Sequence, residues 1–396
     1  MKIIVICVFY PPLNSSAAVQ INHLVEELAS KGNIIEVITP DSSAKKDFIL
    51  EEKKNIKIMR FKNGKMTDTN LVKRTLNEFV MPFRIIYTMI RKSVKIQRSD
   101  GIICWSPSIF FTPLIIYLKL INNCKSYLIL RDIFPKWAKD LNIIKNELVY
   151  QIFNLFFLLQ CYFSDFIGVQ SEGNKKFIPN KIFFRNSKIE VLNNWYKPSP
   201  YSKKSDIKLS KTVLKNKKVF VHAGNIGLAQ GFEILLYLAE EVKKYKDIGF
   251  LFIGRGSKFE SMKNKAKQKG IRNVVFHEEI DNSQIMDLYT QCSCGIVILD
   301  KRHKTHNIPG KFLSYLYAGL PIFALVNPKN DLISLINNNN LGFASSNFDI
   351  NYLKKKLINI SEEINLEDNS KEGNKKFAEE LFSVKKAAYQ ILRKFK

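Results

Sequence analysis

Three glycine-bearing stretches of the chain, two of them with lysine or arginine, are built in a way that suits phosphate. Residues 222–232 read HAGNIGLAQGF between an apolar run and a helical one. Gly224, Gly227 and Gly231 there let backbone approach a ligand while helix N-terminal amides point at it. Residues 254–257, Gly-Arg-Gly-Ser, repeat the arrangement after the run FLFI, and Arg255 and Lys258 add cations. Residues 306–311 run His-Asn-Ile-Pro-Gly-Lys into the helix FLSYLYAG, with Pro309 and Gly310 at its start and Lys311 in its first turn. The helix macrodipole disfavours a cation at that end. Lys311 is therefore expected to face an anion.

Metal chemistry is not indicated, so no metal cofactor is expected. No Asp-x-Asp occurs, and the six cysteines are scattered without a C-x-x-C pair. His303 and His306 lie in a basic loop whose close carboxylate is Asp300.

The elements that must position these loops follow from alternation of short apolar runs with longer stretches of helical period, the pattern of βαβ units. In the first half, strands are expected over 2–9, 34–39, 56–61, 101–105, 127–130, 166–169 and 189–192, with helices over 17–30, 71–97, 109–121 and 147–163. A polar, lysine-rich stretch follows. The alternation then restarts, with strands over 219–223, 249–253, 274–277, 295–299 and 321–326. The expected organisation is an N-terminal doubly wound domain (1–200), a linker (201–218), a second such domain (219–370), and a last helix (371–396) packing back toward the first. In open α/β sheets ligands bind at the carboxyl ends of the strands, so two such domains are expected to face each other across a cleft.

The chain's 396 residues exceed what one core usually serves, and 46% hydrophobic with 12% aromatic residues excludes a disordered chain. Lys plus Arg number 62 against 36 acids, a formal charge of +26 that calls for anionic partners. The charge is diffuse and no helix-turn-helix, zinc-finger or RRM signature appears, which disfavours nucleic-acid binding. The apolar N-terminus, ended by Pro11-Pro12, reads as a first strand rather than a signal peptide. Residues 148–164 carry no charge but contain Gln151, Asn154 and Gln160, which suits a buried or membrane-grazing helix. Arg84, Arg91, Lys92, Lys95 and Arg98, interleaved with Ile85, Ile86, Tyr87 and Ile90, make a basic amphipathic stretch suited to a membrane surface.

The order GNIGLAQG, GRGS, VVFHEEI and NIPGKFLSYLYAGLPI resembles the C-terminal nucleotide-sugar domain of family 4 glycosyltransferases. FYPPLNSSAAVQINHLVEELASKG resembles that family's first strand, loop and helix, and VLNNWYKP its turn toward the second domain. LRDIFPKWAKDLNII is similar to the branch that adds amino sugars, including L-fucosamine, to O-antigen and capsule repeat units. The likeness runs from residue 1 to about 326.

The resemblance implies two Rossmann-like domains in GT-B architecture and a retaining, metal-independent transfer. It implies a UDP-linked donor, such as N-acetyl-L-fucosamine, and an undecaprenyl-diphosphate-linked sugar acceptor. The place implied is the cytoplasmic face of the plasma membrane, where anionic lipid is a further partner. It assigns donor binding to Asn225, Gly227, Gln230, Arg255, Lys258, Pro309, Gly310 and Lys311, with backbone at Glu279 and Ile280 reading the base. Ser15 and Ser16 fall on the acceptor or phosphate side. Three departures follow. The common arginine and lysine of the first loop are here Asn225 and Gln230, the paired glutamates fall on His306 and Ser314, and the histidine of a His-Asp pair falls on Arg131 before Asp132. Arg131, Asp132 and Lys311 are the catalytic candidates. A nucleotide-sugar 2-epimerase uses the same architecture but needs a carboxylate acid and base, for which the loops offer mainly Asp132.

Overall fold

The computed structural model describes every residue except 14, 68, 95, 97, 180–187, 199–202, 228–229 and 365–369. Lys95 of the basic stretch and residues 201–202 of the expected linker therefore lie outside the described residues. The chain divides into one unit of Met1–Trp195 with Val384–Lys396, and another of Tyr196–Ser383.

The first unit is an eight-stranded sheet. Its strands are β1 (Lys2–Ile6), β2 (Ile34–Asp41), β3 (Phe48–Lys53), β4 (Ile56–Lys62), β5 (Gly101–Trp105), β6 (Lys125–Leu130), β7 (Phe166–Val169) and β8 (Lys188–Val191). They lie in the order β3-β4-β2-β1-β5-β6-β7-β8, and only β3 runs antiparallel to its neighbour. Central strands such as β1 and β5 are nearly continuous apolar runs because helices cover both faces. One face packs α2 (Leu71–Arg91), α3 (Thr112–Asn122) and α5 (Glu147–Phe163), and the short α4 (Lys136–Asp140) follows β6. The other face packs α1 (Ser16–Ser30) and the C-terminal α13 (Val384–Leu392).

The second unit is a six-stranded, all-parallel sheet of β9 (Lys218–Ala223), β10 (Ile248–Ile253), β11 (Val274–His277), β12 (Cys294–Ile298), β13 (Ile322–Leu325) and β14 (Gly342–Ser345). Its order is β11-β10-β9-β12-β13-β14, so the winding reverses at β9. Helices α6 (Glu233–Glu241), α7 (Phe259–Gln268) and α11 (Ile350–Glu363) cover one face. Helices α8 (Ile285–Tyr289), α9 (Gly310–Tyr317), α10 (Asp331–Asn338) and α12 (Ser370–Phe382) cover the other.

Several boundaries depart from the sequence reading for local reasons. Helix α2 stops at Arg91 rather than 97 because Ser93 takes the left-handed conformation (φ 49°). Helix α3 starts at Thr112 rather than 109, where Pro113 suits the first turn. The expected linker is packed rather than free: Ile207, Leu209 and Leu214 are buried in the second unit's core, and Ser205 donates its amide to Asp287 at 2.8 Å. Residues 371–396 form two helices, not one. Between them Ser383 pairs as a β-bridge with Tyr196, which holds that backbone extended. Helix α12 then packs in the second unit against α9, and α13 in the first against α1.

Helix α13 is thus a distant piece of chain completing the first unit's core, with Ala388 and Ile391 fully buried beside Ile3 and Val5. Truncating Ile391→Ala should cost about 2–5 kcal/mol, the usual penalty for a buried aliphatic cavity. Urea unfolding of the whole chain checks this, with the loss expected in the transition of the first unit.

Candidate functional site

Because every strand of the second sheet is parallel, the loops after β9, β10, β12 and β13 leave one edge. The reversal at β9 opens the crevice in which such sheets bind ligands. The first two loops are built against each other by backbone. Gly224 donates its amide to Ile253 (2.8 Å), Ile226 to Arg255 (2.9 Å) and Lys258 to Ile226 (3.0 Å). At Gly254, where φ is +148°, a side chain would drive its Cβ into the Gly224 carbonyl; at Gly256 it would meet Asn225 and the Ile226 carbonyl. These glycines exist for loop-on-loop contact.

The first loop also closes on itself. Gln230 Oε1 accepts from the Gly227 amide at 3.0 Å and from Asn225 Nδ2 at 3.4 Å. The Gly227 amide, expected to face an anion, is thus taken by a side chain of its own loop. Two expected cations are likewise engaged: Arg255 pairs with Glu279 at 3.0 Å and Lys258 with Glu233 at 3.7 Å, all at exposed or half-exposed positions. Ile280 packs half-buried on the core beside Glu279.

Lys311 is different. Pro309 occupies the N-cap of α9 and Gly310 its first position, and from the next residue the lysine reaches back across the sheet edge to β9. Its Nζ lies 2.9 Å from His222 Nε2, and its Cε and Nζ each lie 3.4 Å from where a Gly224 Cβ would stand. Burial pushes the amine down to about 7. Burial, then the neighbouring Lys311 charge, holds His222 well below its ordinary value, so the imidazole is neutral. Tyr315, one turn on, accepts the Ala223 amide at 2.9 Å and fixes α9 against β9.

Two further expected donor residues are held by neighbours within the unit. Ser314 is buried, donating to the Lys311 carbonyl at 2.9 Å and bonding Tyr289, so its hydroxyl is held within the helix layer. His306 is buried with Nδ1 2.9 Å from Asp331 Oδ1, at the start of α10. Asp331 escaped the sequence reading. Its signal is Asn330, which caps α10 by accepting the Leu332 amide.

In the first unit, Arg131 and Asp132 follow β6. Arg131 lies 5.2 Å over the Trp105 ring and donates to Asn194 Oδ1, which also accepts from Gln20 Nε2 and the Trp195 amide, each at 3.0 Å. Trp195 returns its indole N–H to the Gln20 carbonyl at 3.0 Å and meets Trp105 edge-on at 5.4 Å. Burial lowers Arg131 to about 10, against the favourable charge of Asp132, so it stays cationic at neutral pH. Arg131 is tied into this scaffold, and Asp132 is left half-buried at the strand end. Ser15 caps α1 by accepting the Ala18 amide at 3.2 Å, and Ser16 is exposed in the first turn. A cavity of about 740 Å³ in this unit is lined by Tyr10, Asn22, Glu26, Glu51 and Arg60, and none of those four expected residues borders it. Among the described residues no cluster of three or more His, Cys, Asp or Glu is placed to hold a metal.

Comparison with known proteins follows the same division. Residues 204–377 match the family of glycosyl transferases group 1. The chain is 20% identical over 287 residues to the probable glycosyltransferase WbjE of Pseudomonas aeruginosa, covering 72% of this chain and 70% of that one. It is 26% identical over 104 residues to the putative colanic acid biosynthesis glycosyl transferase WcaI of Escherichia coli, about a quarter of each chain. Among solved structures, sucrose-phosphate synthase of Thermosynechococcus elongatus superimposes with a TM-score of 0.75 at 12% identity, covering 100% of this chain and 98% of that one. An Escherichia coli trehalose-6-phosphate structure bound with UDP-2-fluoro glucose gives 0.72 at 12% identity, covering 100% and 99%.

The loop contact at Gly254 makes a sharp prediction. Gly254→Ala should destabilise the second unit by roughly 2–4 kcal/mol, since neither the positive φ nor the carbonyl opposite can yield cheaply. Denaturant unfolding measures it, and an unchanged midpoint would mean that the loops are not held by this contact.

Proposed function

We propose that the chain, a glycosyltransferase of the GT-B fold, takes an N-acetylated deoxyhexosamine such as N-acetyl-L-fucosamine from a UDP donor. It passes the sugar, with retention and without a metal, to an undecaprenyl-diphosphate-linked acceptor in O-antigen or capsule polysaccharide biosynthesis. The observation that carries this reading is the Lys311 amine, half-buried at the switch point of the second sheet and lying against an imidazole. The nucleotide in the trehalose-6-phosphate structure and the colanic acid role in WcaI's name support the donor and polysaccharide classes.

In this reading the glycosidic bond breaks with its electron pair going to the β-phosphate oxygen. Lys311 as ammonium and the first amides of α9 stabilise that developing charge. The acceptor oxygen bonds the anomeric carbon from the same face, and its proton passes to the departing phosphate. Arg255 and Lys258 serve the outer phosphate and nucleoside after leaving Glu279 and Glu233, exchanges that cost little because exposed ion pairs are weak. Gln230 turns from the Gly227 amide when an anion competes for it. Asp132 is the acceptor-side carboxylate, and Arg131 holds the loop that carries it.

Lys311→Ala should lower turnover by roughly 10²–10³ with the fold intact by circular dichroism, the usual scale for removing one preorganised charge donor. The assay is a panel of UDP- and GDP-sugars with a lipid-diphosphate N-acetylhexosamine, read by product mass. Near-normal transfer by the variant removes Lys311 from the site. A donor converted to its epimer without acceptor would instead mark an epimerase.

The location proposed is the inner face of the plasma membrane, on anionic lipid. Among the described residues no helix is long and apolar enough to cross a membrane. Helix α2 instead exposes Val72, Leu76, Phe79, Phe83, Tyr87 and Ile90, spaced three or four apart along one stripe, while Met81, Ile85 and Met89 face the core. Phe79 meets Phe156 of α5 at 5.7 Å, and α5 exposes Leu148, Ile152 and Leu155 beside it. Lys73, Arg84, Arg91 and Lys92 flank the stripe. Apolar side chains edged on one side by cations suit the acyl boundary under anionic head groups. The basic stretch read from sequence thus gains an apolar partner, and high salt alone should release the protein only partly. Replacing Leu76, Phe83 and Ile90 by Ser should abolish flotation with phosphatidylglycerol vesicles while leaving the circular dichroism spectrum unchanged. Flotation equal to wild type would discard this face.

A further inference from the structure

Strand β9 carries a histidine that the transfer chemistry above leaves unused. The alternation of VFVHA places His222 on the face of Phe220, where its ring packs 5.2 Å from Phe232. It is fully buried in a layer of aromatic and aliphatic side chains. An imidazole is a costly choice there unless its nitrogens are bonded. Its Nε2 lies 2.9 Å from Lys311 Nζ, and the ring also bonds the backbone of Ile296 on β12, while the Asn225 carbonyl stands 3.5 Å from Nε2. The lysine comes from α9, on the other side of the sheet edge, and lies over Gly224.

The nearby polar groups of the surrounding elements are committed elsewhere. Tyr315 of α9 accepts the Ala223 amide, and Asp300 after β12 is held by two guanidinium nitrogens of Arg302 at 2.9 and 2.8 Å. Arg255 after β10 pairs with Glu279, and Lys258 with Glu233. The charge that bears on His222 is that of Lys311, and burial alone depresses Lys311. The pair is a neutral acceptor beneath an amine that has no counter-ion among the described residues.

We propose that His222 is a positioning residue for Lys311. Its neutral imidazole accepts an amine N–H through Nε2 and holds the amine over Gly224, where the donor diphosphate enters and where its binding draws a proton from solvent. This rests on the donor reading of Lys311. The proton balance is simple. With an amine that titrates near 7 when the site is empty, a good part of the molecules at neutral pH carry neutral lysine. A diphosphate favours the ammonium and raises its pKa, so between the two values each binding event takes up a proton. Nucleotide affinity then falls as pH rises above about 7, by at most tenfold per unit, until the pKa of the complex is reached. Removing the acceptor leaves burial unopposed, which lowers the empty-site value further.

Two measurements on the full chain test this with wild type, His222→Leu, His222→Asn and His222→Gln. Competitive acetylation across pH, followed by mass spectrometry of the Lys311 peptide, gives the titration midpoint of the amine without any nucleotide. Calorimetry of UDP binding in two buffers of different ionisation enthalpy gives proton uptake and the pH limb of affinity. The Leu and Asn variants, which lack an acceptor within reach, should lower the amine midpoint and carry the affinity limb with it. Gln, whose amide oxygen reaches as Nε2 does, should restore both. Should Leu not fold, Asn carries the test. An identical midpoint in all four proteins overturns the proposal. A midpoint that moves as expected in a protein that does not bind UDP leaves the His222–Lys311 pair standing and removes the donor reading.

Discussion

A half-buried amine at the edge of a parallel sheet, with an imidazole for its neighbour and no carboxylate to balance it among the described residues, is the constraint from which the second unit's site follows. A lysine is placed this way at a cost, because burial opposes its charge and the start of a helix opposes it again. The chain maintains the arrangement by fixing both ends of it. Tyr315 ties α9 to the end of β9, and Gly254 brings the second loop directly under the first, so that the Gly224 backbone forms the floor beneath the amine. An incoming anion relieves both penalties at once. That is the basis of the proposed preference for phosphate.

The remaining expected cations act differently. Arg255 and Lys258 lie at the surface in ion pairs with Glu279 and Glu233, contacts worth little individually and easily exchanged for phosphate. In the first unit Arg131 is committed to Asn194 and Trp105, in a network linking α1, β5, β6 and the segment after β8. It shapes the loop on which Asp132 stands. The apolar stripe of α2 and the outer side of α5 make the same unit poor at facing water.

Much of this was legible in the sequence. The alternation of apolar runs and helical stretches located the strand cores of β1, β5 and the end of β9 as readily as it located α1 and α5, because parallel strands buried on both faces read as unbroken apolar runs. The loops after β9 and β10 were legible for the same reason, since glycine must stand where backbones touch. Strand β3 was not: it lies at the sheet edge, alternates poorly and exposes Glu51, Glu52 and Lys53. Helix α13 belongs to the first unit although it ends the chain, a long-range placement that periodicity does not encode. The pairings of Gln230 with Gly227, His306 with Asp331 and Ser314 with Tyr289 are equally out of reach, because side-chain partners depend on which elements the topology brings together. His222 carried a faint signal as the polar residue of an otherwise apolar strand, and its meaning appeared only when Lys311 was found beside it.

The central claim is that a nucleotide diphosphate binds on this lysine. A structure of the protein crystallised with UDP tests it most directly. The account predicts a diphosphate oxygen about 3 Å from Lys311 Nζ, with Gln230 turned away from the Gly227 amide and the amides of α9 directed at the phosphate. UDP bound elsewhere, with Lys311 still against His222 alone, would contradict it.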